Sequence, residues 1–289
     1  GFVFGVIRLL RSRDCPRVHY VAPTIWAWRA GRVRKFHKHF DHLLALFPFE
    51  PPLFDAAGLA STFVGHPVAE GGVDDGDGAA FRARHGIAPD ATVLCVLPGS
   101  RHGEVSRLEP IARETLARVM PDHPDVVLVV PAAANVRSLI EETVATWPWP
   151  VAVVDGARER YDAFAAADLA LATSGTVTLE LSWAAVPTVV MYRLPRLTGE
   201  IARRMIRVRF ASIVNIVADR EVLPEFIQSR CRPKPIAGAV RELLSNPQRR
   251  AEIGAEARRI SRDLEPGGER PSARAARAVL DIVAAARNR

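Results

Sequence analysis

A repeated switch in hydrophobic period constrains this chain most. From residue 92 onward, short continuous apolar runs alternate with stretches of helical spacing. "TVLCVL" (92–97) leads to a helix over about 104–119, and "DVVLVV" (125–130) to "NVRSLIEETVATW" (135–147). "VAVVDG" (151–156) precedes "RYDAFAAA" (160–167), and "DLALA" (168–172) precedes "GTVTLELSWAA" (175–185). "TVVMY" (188–192) then leads into "TGEIARRMIRV" (198–208). A strand that is apolar on both sides of its pleat needs cover on both faces, and the intervening helices supply it. The pattern therefore predicts an α/β chain with a parallel sheet, whose ligands bind beyond the carboxyl ends of the strands.

Upstream, "RVHYVA" (17–22), "HLLALF" (42–47) and "STFVG" (61–65) read as further strands. Between them and the regular region lies "EGGVDDGDG" (70–78), acidic, glycine-rich and without periodicity, which reads as a linker. The tail reads as two helical stretches, 235–262 and 271–287, on either side of "EPGGERP". With 289 residues, 48% of them hydrophobic, the chain can build two ordinary cores. Its longest apolar candidate, "VVLVVPAAA" (126–134), is interrupted by Pro131 and falls short of the roughly 18 residues of a membrane span.

Three scattered cysteines, Cys15, Cys95 and Cys231, form neither a disulfide framework nor a metal cluster. Cys95 reads as a small core residue. The net charge of +7 and a pI near 10 favour anionic partners: nucleic acid, an anionic lipid surface or phosphorylated small molecules. With no zinc-finger spacing, RRM signature or basic zipper, nucleic acid rests on charge alone and is not an expected partner.

Two turns carry the candidate chemistry. In "LPGSRHGEV" (97–105), an apolar strand ends, Gly99, Ser100 and Arg101 follow, and a helix starts near Glu104. Helix starts offer unpaired N–H groups and a positive dipole end, a setting for phosphate. In "LATSGTVTLE" (171–180) the same order recurs, with Thr173, Ser174, Gly175 and Thr176 at the turn and Glu180 about one and a half helical turns in. There a carboxylate can accept two hydrogen bonds from a vicinal diol such as a ribose. Phosphate at the helix start and a diol beside it describe a nucleotide. The bland alternative for this turn is a capped helix with a surface or paired glutamate. His66 in "GHP" is read either as facing a cleft or as structural. Trp26, Trp28 and Phe36, set among arginines and lysines, suit a membrane interface or equally a packed core with a solvated rim.

Several segments in order then carry a resemblance. They are "HYVAPTIWAWRAGRVRKF" (19–36), "LLALFPFEPPLF" (43–54), "FVGHPV" (63–68), the two turns above, "PTVVMYR" (187–193) and "SIVNIVADREVLPEFIQ" (212–228). The C-terminal half is similar to the donor domain of GT-B glycosyltransferases, and the whole chain resembles the bacterial lipid-A-disaccharide synthase family. The resemblance implies a GT-B fold of two Rossmann-like domains with parallel sheets, the N-terminal one truncated. On that reading 1–69 is the remainder of the acceptor-side domain, 70–78 the linker and 79–263 the nucleotide-sugar-binding domain. Residues 264–289 would form a helix returning to the N-terminal domain.

The implied reaction joins UDP-2,3-diacylglucosamine to 2,3-diacylglucosamine 1-phosphate, giving the β-1,6 lipid A disaccharide 1-phosphate and UDP. The family needs no metal or other cofactor. It would work in the cytoplasm, peripheral at the inner face of the inner membrane, and a homodimer is left open. The implied substrate-binding residues are Gly99, Ser100, Arg101, Glu104, Ser174, Gly175, Thr176, Glu180 and Asn215. Arg101 and the backbone N–H groups of Ser174, Gly175 and Thr176 would hold the diphosphate, and Glu180 the ribose. Asn215 matches a family asparagine near the active cleft. Family members carry a further N-terminal segment with an acceptor-side carboxylate, which this sequence lacks, and "GFVFG" has Val3 where the family usually places Asn. The general base is therefore unassigned and expected in that segment. The sequence is either a fragment of a complete enzyme or a truncated, non-catalytic remnant that keeps a UDP-sugar-binding domain. Another nucleotide-sugar enzyme of the same fold, such as an epimerase, would share the two turns but not the WAWR segment.

Overall fold

The structure, a computed structural model, describes residues 6–7, 15–23, 36–195, 209–265 and 267–287. The helix expected over 198–208, Trp26 and Trp28 lie outside the described residues. The chain forms two compact units: one from the described residues up to Gly71 and from Arg262 on, the other from those of Gly72–Gly199 and Arg209–Ser261.

In the first unit, strands β1 (Val18–Tyr20), β2 (His42–Ala45) and β3 (Ser61–Phe63) form a parallel sheet in the order β1-β2-β3. Helix α1 (Glu50–Asp55) follows β2. Sequence reading missed it because prolines 51 and 52 look like breakers, yet in a first turn the missing N–H is no loss. Glu50 is buried, and its Oε2 accepts from the amides of Leu46 (3.1 Å) and Phe47 (3.0 Å). Phe36 packs in the core with Phe40, Leu43, Phe54 and Leu59, stacking on Phe40 at 5.3 Å. That placement overturns the membrane-facing reading for Phe36.

His66 is structural too. It is buried, its Nδ1 accepts from the Val68 amide at 3.1 Å, and its ring stacks on Phe47. Burial pushes its pKa down to about 4. The unfolded chain therefore binds a proton more readily, and this contribution is full above about pH 6.5 and is lost as pH falls towards 4. His19 and His42, also lowered by burial, act in the same direction. His66→Asn keeps an acceptor for Val68 but cannot titrate. Urea melts of the first unit should show that the variant loses roughly 2 kcal/mol less than the parent between pH 7 and pH 5. Equal losses in the two proteins would mean that His66 does not shape the acid limb.

The second unit holds six parallel strands: β4 (Val93–Leu97), β5 (Val127–Pro131), β6 (Val151–Val154), β7 (Leu169–Thr173), β8 (Thr188–Tyr192) and β9 (Glu225–Ile227). Their order is β6-β5-β4-β7-β8-β9. The chain runs outward from β4 to β6, then crosses back to β7 and runs outward the other way. β4 and β7 are adjacent, with Leu94 to Leu97 opposite Leu169 to Ala172. Both strands are buried throughout, as their uninterrupted apolar letters require.

Helices α2 (Gly78–Arg84), α3 (His102–Val119), α4 (Arg137–Val144), α5 (Ala157–Ala166) and α6 (Thr176–Trp183) lie between the strands. The short α7 (Ile213–Ala218) precedes β9. In α3, Val105, Leu108, Ala112, Leu116 and Val119 are buried at helical spacing, and α3 packs on α8 (Pro233–Ser245).

The stretch expected as one helix over 235–262 is two, α8 and α9 (Pro247–Arg262). Pro247 has no N–H and pushes Asn246 out of helical geometry, and the Asn246 Oδ1 then caps α9 by accepting from the Arg249 amide at 2.9 Å. The last helix is α10 (Pro271–Arg287), where the Ser272 amide and hydroxyl both donate to Glu70.

Residues 70–78 carry more structure than a linker. They form tight 3₁₀ turns, and the unit boundary at Gly71 falls inside them. Asp74 accepts from the Trp183 indole at 2.8 Å, and the Asp77 amide donates to the buried Asp162 at 2.8 Å. A Cβ at Gly76 or Gly78 would come within 2.5 Å of the α5 backbone, so these glycines serve close packing. Cys95 is buried as expected, and burial pushes its thiol up to about 12.

Candidate functional site

The order of the large sheet creates a crevice beyond the carboxyl ends of β4 and β7, where the direction of winding reverses. Such switch points are where open α/β sheets hold ligands. A cavity of about 310 Å³ lies there. Of the nine residues singled out from sequence, eight line it: Gly99, Ser100, Arg101, Glu104, Ser174, Gly175, Thr176 and Glu180. Arg101 and Glu180, which come from different strand–helix junctions, share this one space.

The β4–α3 turn is held by its own side chains. Gly99 has φ +144°, and a Cβ there would sit 2.5 Å from the Glu104 Cβ, so only glycine lets Glu104 fold back over the turn. The Glu104 carboxylate accepts from the Ser100 amide at 3.1 Å and from Arg101 Nη1. Asn135, after β5, donates to the Ser100 carbonyl at 2.8 Å. Arg101 precedes the first residue of α3, and its side chain is 78% exposed. Its cation is thus anchored at one nitrogen and open to the cavity.

The β7–α6 turn departs from expectation at Ser174. Its amide donates to the Met191 carbonyl at 3.3 Å and its hydroxyl to the Ala211 carbonyl at 2.8 Å. Ser174 therefore braces the turn instead of offering its N–H to the cavity. The amides of Thr176 and Val177 open α6, where no intrahelical carbonyl is in reach. Gly175 has an extended backbone, and a Cβ there would meet nothing within 4 Å. The starts of α3 and α6 both point their positive ends at the same cavity.

Asn215 does not reach the cavity. It is wholly buried, and its side chain is saturated internally. Oδ1 accepts from the Val222 (2.8 Å) and Leu223 (2.9 Å) amides, and Nδ2 donates to the Leu223 carbonyl and to Glu225 Oε1, both at 2.8 Å. In this arrangement Asn215 clamps the loop before β9 and does not line the cavity.

Sequence reading missed Arg160, and named Thr173 at the turn without placing it among the substrate-binding residues. Arg160, on α5, donates from Nη2 to Glu180 Oε1 at 3.1 Å. Thr173 is only 6% exposed, and among the described residues its buried Oγ1 has no hydrogen-bond partner. The clue for Thr173 was present, since a hydroxyl ends an otherwise apolar strand. Burial pushes the Glu180 carboxyl above the usual carboxylate range, and Arg160 and the Tyr161 hydroxyl pull it back. Among the described residues, no cluster of His, Cys, Asp and Glu is arranged to hold a metal ion, and no helix is long and apolar enough to cross a membrane.

Two α/β units with parallel sheets, the second with its crevice at the switch point, make this a GT-B glycosyltransferase fold. The same architecture recurs in WaaG, a glycosyltransferase involved in lipopolysaccharide biosynthesis (TM-score 0.54, 15% identity, 97% of this chain and 80% of that one). It recurs too in UDP-GlcNAc 2-epimerase from Neisseria meningitidis bound to UDP-GlcNAc (TM-score 0.59, 12% identity, 91% and 71%). The family model for lipid-A-disaccharide synthetase matches residues 1–279. The lipid-A-disaccharide synthase of Rhodospirillum centenum is 50% identical over 284 residues, 98% of this chain and 71% of that protein. That of Paramagnetospirillum magneticum is 46% identical over 275 residues, 94% and 70%. The chain belongs to the lipid-A-disaccharide synthase family, glycosyltransferases of lipid A biosynthesis.

Proposed function

We propose that the switch-point cavity is the donor site for UDP-2,3-diacylglucosamine. The acceptor is 2,3-diacylglucosamine 1-phosphate, and the products are the β-1,6-linked disaccharide 1-phosphate and UDP. The observation that carries this reading is the single cavity shared by Arg101, Glu180 and two helix starts. As the glycosidic bond breaks, negative charge develops on the departing UDP. A fixed cation at Arg101 and the amides of Gly175, Thr176 and Val177 meet that charge without reorganising, which lowers the barrier. Glu104 and Asn135 hold the Ser100–Arg101 turn in place. The Thr173 hydroxyl, at the end of β7, donates to the bound donor. Glu180 accepts from the ribose.

Both substrates carry acyl chains, so the reaction takes place at the cytoplasmic face of the inner membrane, with the protein bound peripherally. The net charge of +7 favours an anionic surface. Co-sedimentation with anionic vesicles that weakens with added salt supports this placement, and retention by neutral vesicles alone contradicts it.

The test of the donor site is calorimetric titration with UDP. Binding in the micromolar to low millimolar range is expected, and none at millimolar UDP overturns the reading. Gly175→Val sharpens the test. Its extended backbone accepts any residue and its Cβ enters open space, so the melting temperature should hold. Gly175 lines the cavity at the α6 start, so UDP affinity should fall about tenfold or more. Unchanged affinity would remove the α6 start from the site.

A further inference from the structure

Glu180 sits in the cavity wall against two residues of α5 that the sequence did not single out. Arg160 Nη2 donates to Glu180 Oε1 at 3.1 Å and to the Tyr161 hydroxyl oxygen at 3.3 Å. The Tyr161 hydroxyl donates to the same Oε1 at 3.4 Å. The guanidinium also lies over the Tyr161 ring, 5.0 Å from its centroid. All the donors therefore converge on one carboxylate oxygen. Among the described residues, Glu180 Oε2 accepts no hydrogen bond. A half-buried carboxylate with one oxygen engaged and the other open is oriented for a ligand that brings hydroxyl groups.

We propose that Arg160 and Tyr161 are positioning residues of the donor site. They hold Glu180 as a carboxylate with one oxygen turned to the cavity, where it accepts from the vicinal hydroxyls of a nucleoside diphosphate ribose. The inference rests on the donor-site reading above and adds to it which residues make the ribose contact selective.

Three physical consequences follow. A neutral Glu180 would put a proton on one of its oxygens and lose acceptor capacity towards the diol. Burial already favours that neutral form, and the Arg160 cation opposes it. The other charged groups lining the cavity are Arg101 and Glu104, at the α3 end, and they offset one another. Arg160 thus favours the charged form of Glu180, and losing it moves the protonation of Glu180 to higher pH. It also frees the carboxylate to rotate, which costs ribose selectivity more than diphosphate binding.

The experiment compares UDP with 2′,3′-dideoxy-UDP by calorimetry from pH 5.5 to pH 8.5, on the parent protein, Arg160→Met, Arg160→Lys and Tyr161→Phe. The parent should prefer UDP by about tenfold at pH 7.5. Arg160→Met should reduce that preference to less than about threefold, and the remaining preference should vanish at a higher pH than in the parent. Arg160→Lys should recover part of the preference, and Tyr161→Phe should fall between the parent and Arg160→Met. Dideoxy-UDP affinity should change little in every variant.

An equal loss for both ligands in Arg160→Met would make Arg160 a diphosphate contact and overturn the proposal. So would an unchanged preference and pH profile, which would leave an ordinary ion pair. A parent that binds both ligands equally overturns the ribose contact while the diphosphate site stands. A parent that binds neither overturns the donor-site reading as well. Arg160→Lys and Tyr161→Phe keep the cluster's packing, so the comparison survives if Arg160→Met proves poorly folded.

Discussion

Arg101→Ala lowers kcat/KM for the sugar nucleotide by about 10²-fold or more and leaves the melting temperature in place. The effect is large because the proposed donor site puts this cation where charge builds on the leaving diphosphate, and interactions made in the transition state act directly on rate. Stability holds because the side chain is 78% exposed and its ion pair with Glu104 is a short-range surface contact. Such pairs contribute about 0–1 kcal/mol.

Glu104 makes the prediction more specific. In Arg101→Ala its carboxylate would stay beside the proposed phosphate position without a counter-charge, and part of the loss would be repulsion. The double variant Arg101→Ala/Glu104→Gln should therefore recover several-fold of the lost rate. Steady-state kinetics with parallel melting curves checks both statements. A melting temperature that falls with activity would make Arg101 a structural residue. A double variant no better than the single would remove Glu104 from the electrostatics of the site.

The two turns were legible in the sequence because a parallel sheet sends every strand's carboxyl end to the same edge. Once "TVLCVL" and "DLALA" read as buried strands, Gly99–Arg101 and Ser174–Thr176 had to lie along one side. Their adjacency was not legible. It depends on the order β6-β5-β4-β7, which local pattern does not specify. The same order explains why Arg160 was missed. The chain must cross from β6 back to β7, so α5 packs over β4 and β5 and carries Arg160 to Glu180.

Other misreadings share a cause: a polar or glycine residue looks alike whether it serves a ligand or the backbone. Gly76 and Gly78 read only as part of the linker, where the structure shows that they also allow close contact with α5. Ser174 resembled a phosphate donor, yet both its groups go to neighbouring carbonyls. β9 has only three residues and begins with a glutamate, so it lacks a strand's usual signature. Glu225 is nevertheless buried because the amides of Ala211 and Ser212 and the Asn215 side chain all donate to it.

That arrangement makes Asn215→Ala the second large effect, and its size appears in stability first. The substitution strips partners from two buried amides and a buried carbonyl, and takes one donor from Glu225. Each unsatisfied buried group costs about 1–3 kcal/mol, and a shared network does not lose them additively. A total near 3–5 kcal/mol is expected. For a unit of this size, that lowers the melting temperature by roughly 10 °C.

The cavity feels the change only at second hand. Asn215 holds Glu225, Glu225 holds the Ala211 amide, and the Ala211 carbonyl accepts from the Ser174 hydroxyl under the α6 turn. UDP affinity measured well below the melting transition should therefore drop by only a few fold. A variant that keeps its melting temperature but loses UDP binding would put the asparagine back in contact with substrate. A variant that loses stability while binding UDP nearly as well would establish it as the clamp that keeps the β9 loop, and through it the α6 turn, in register.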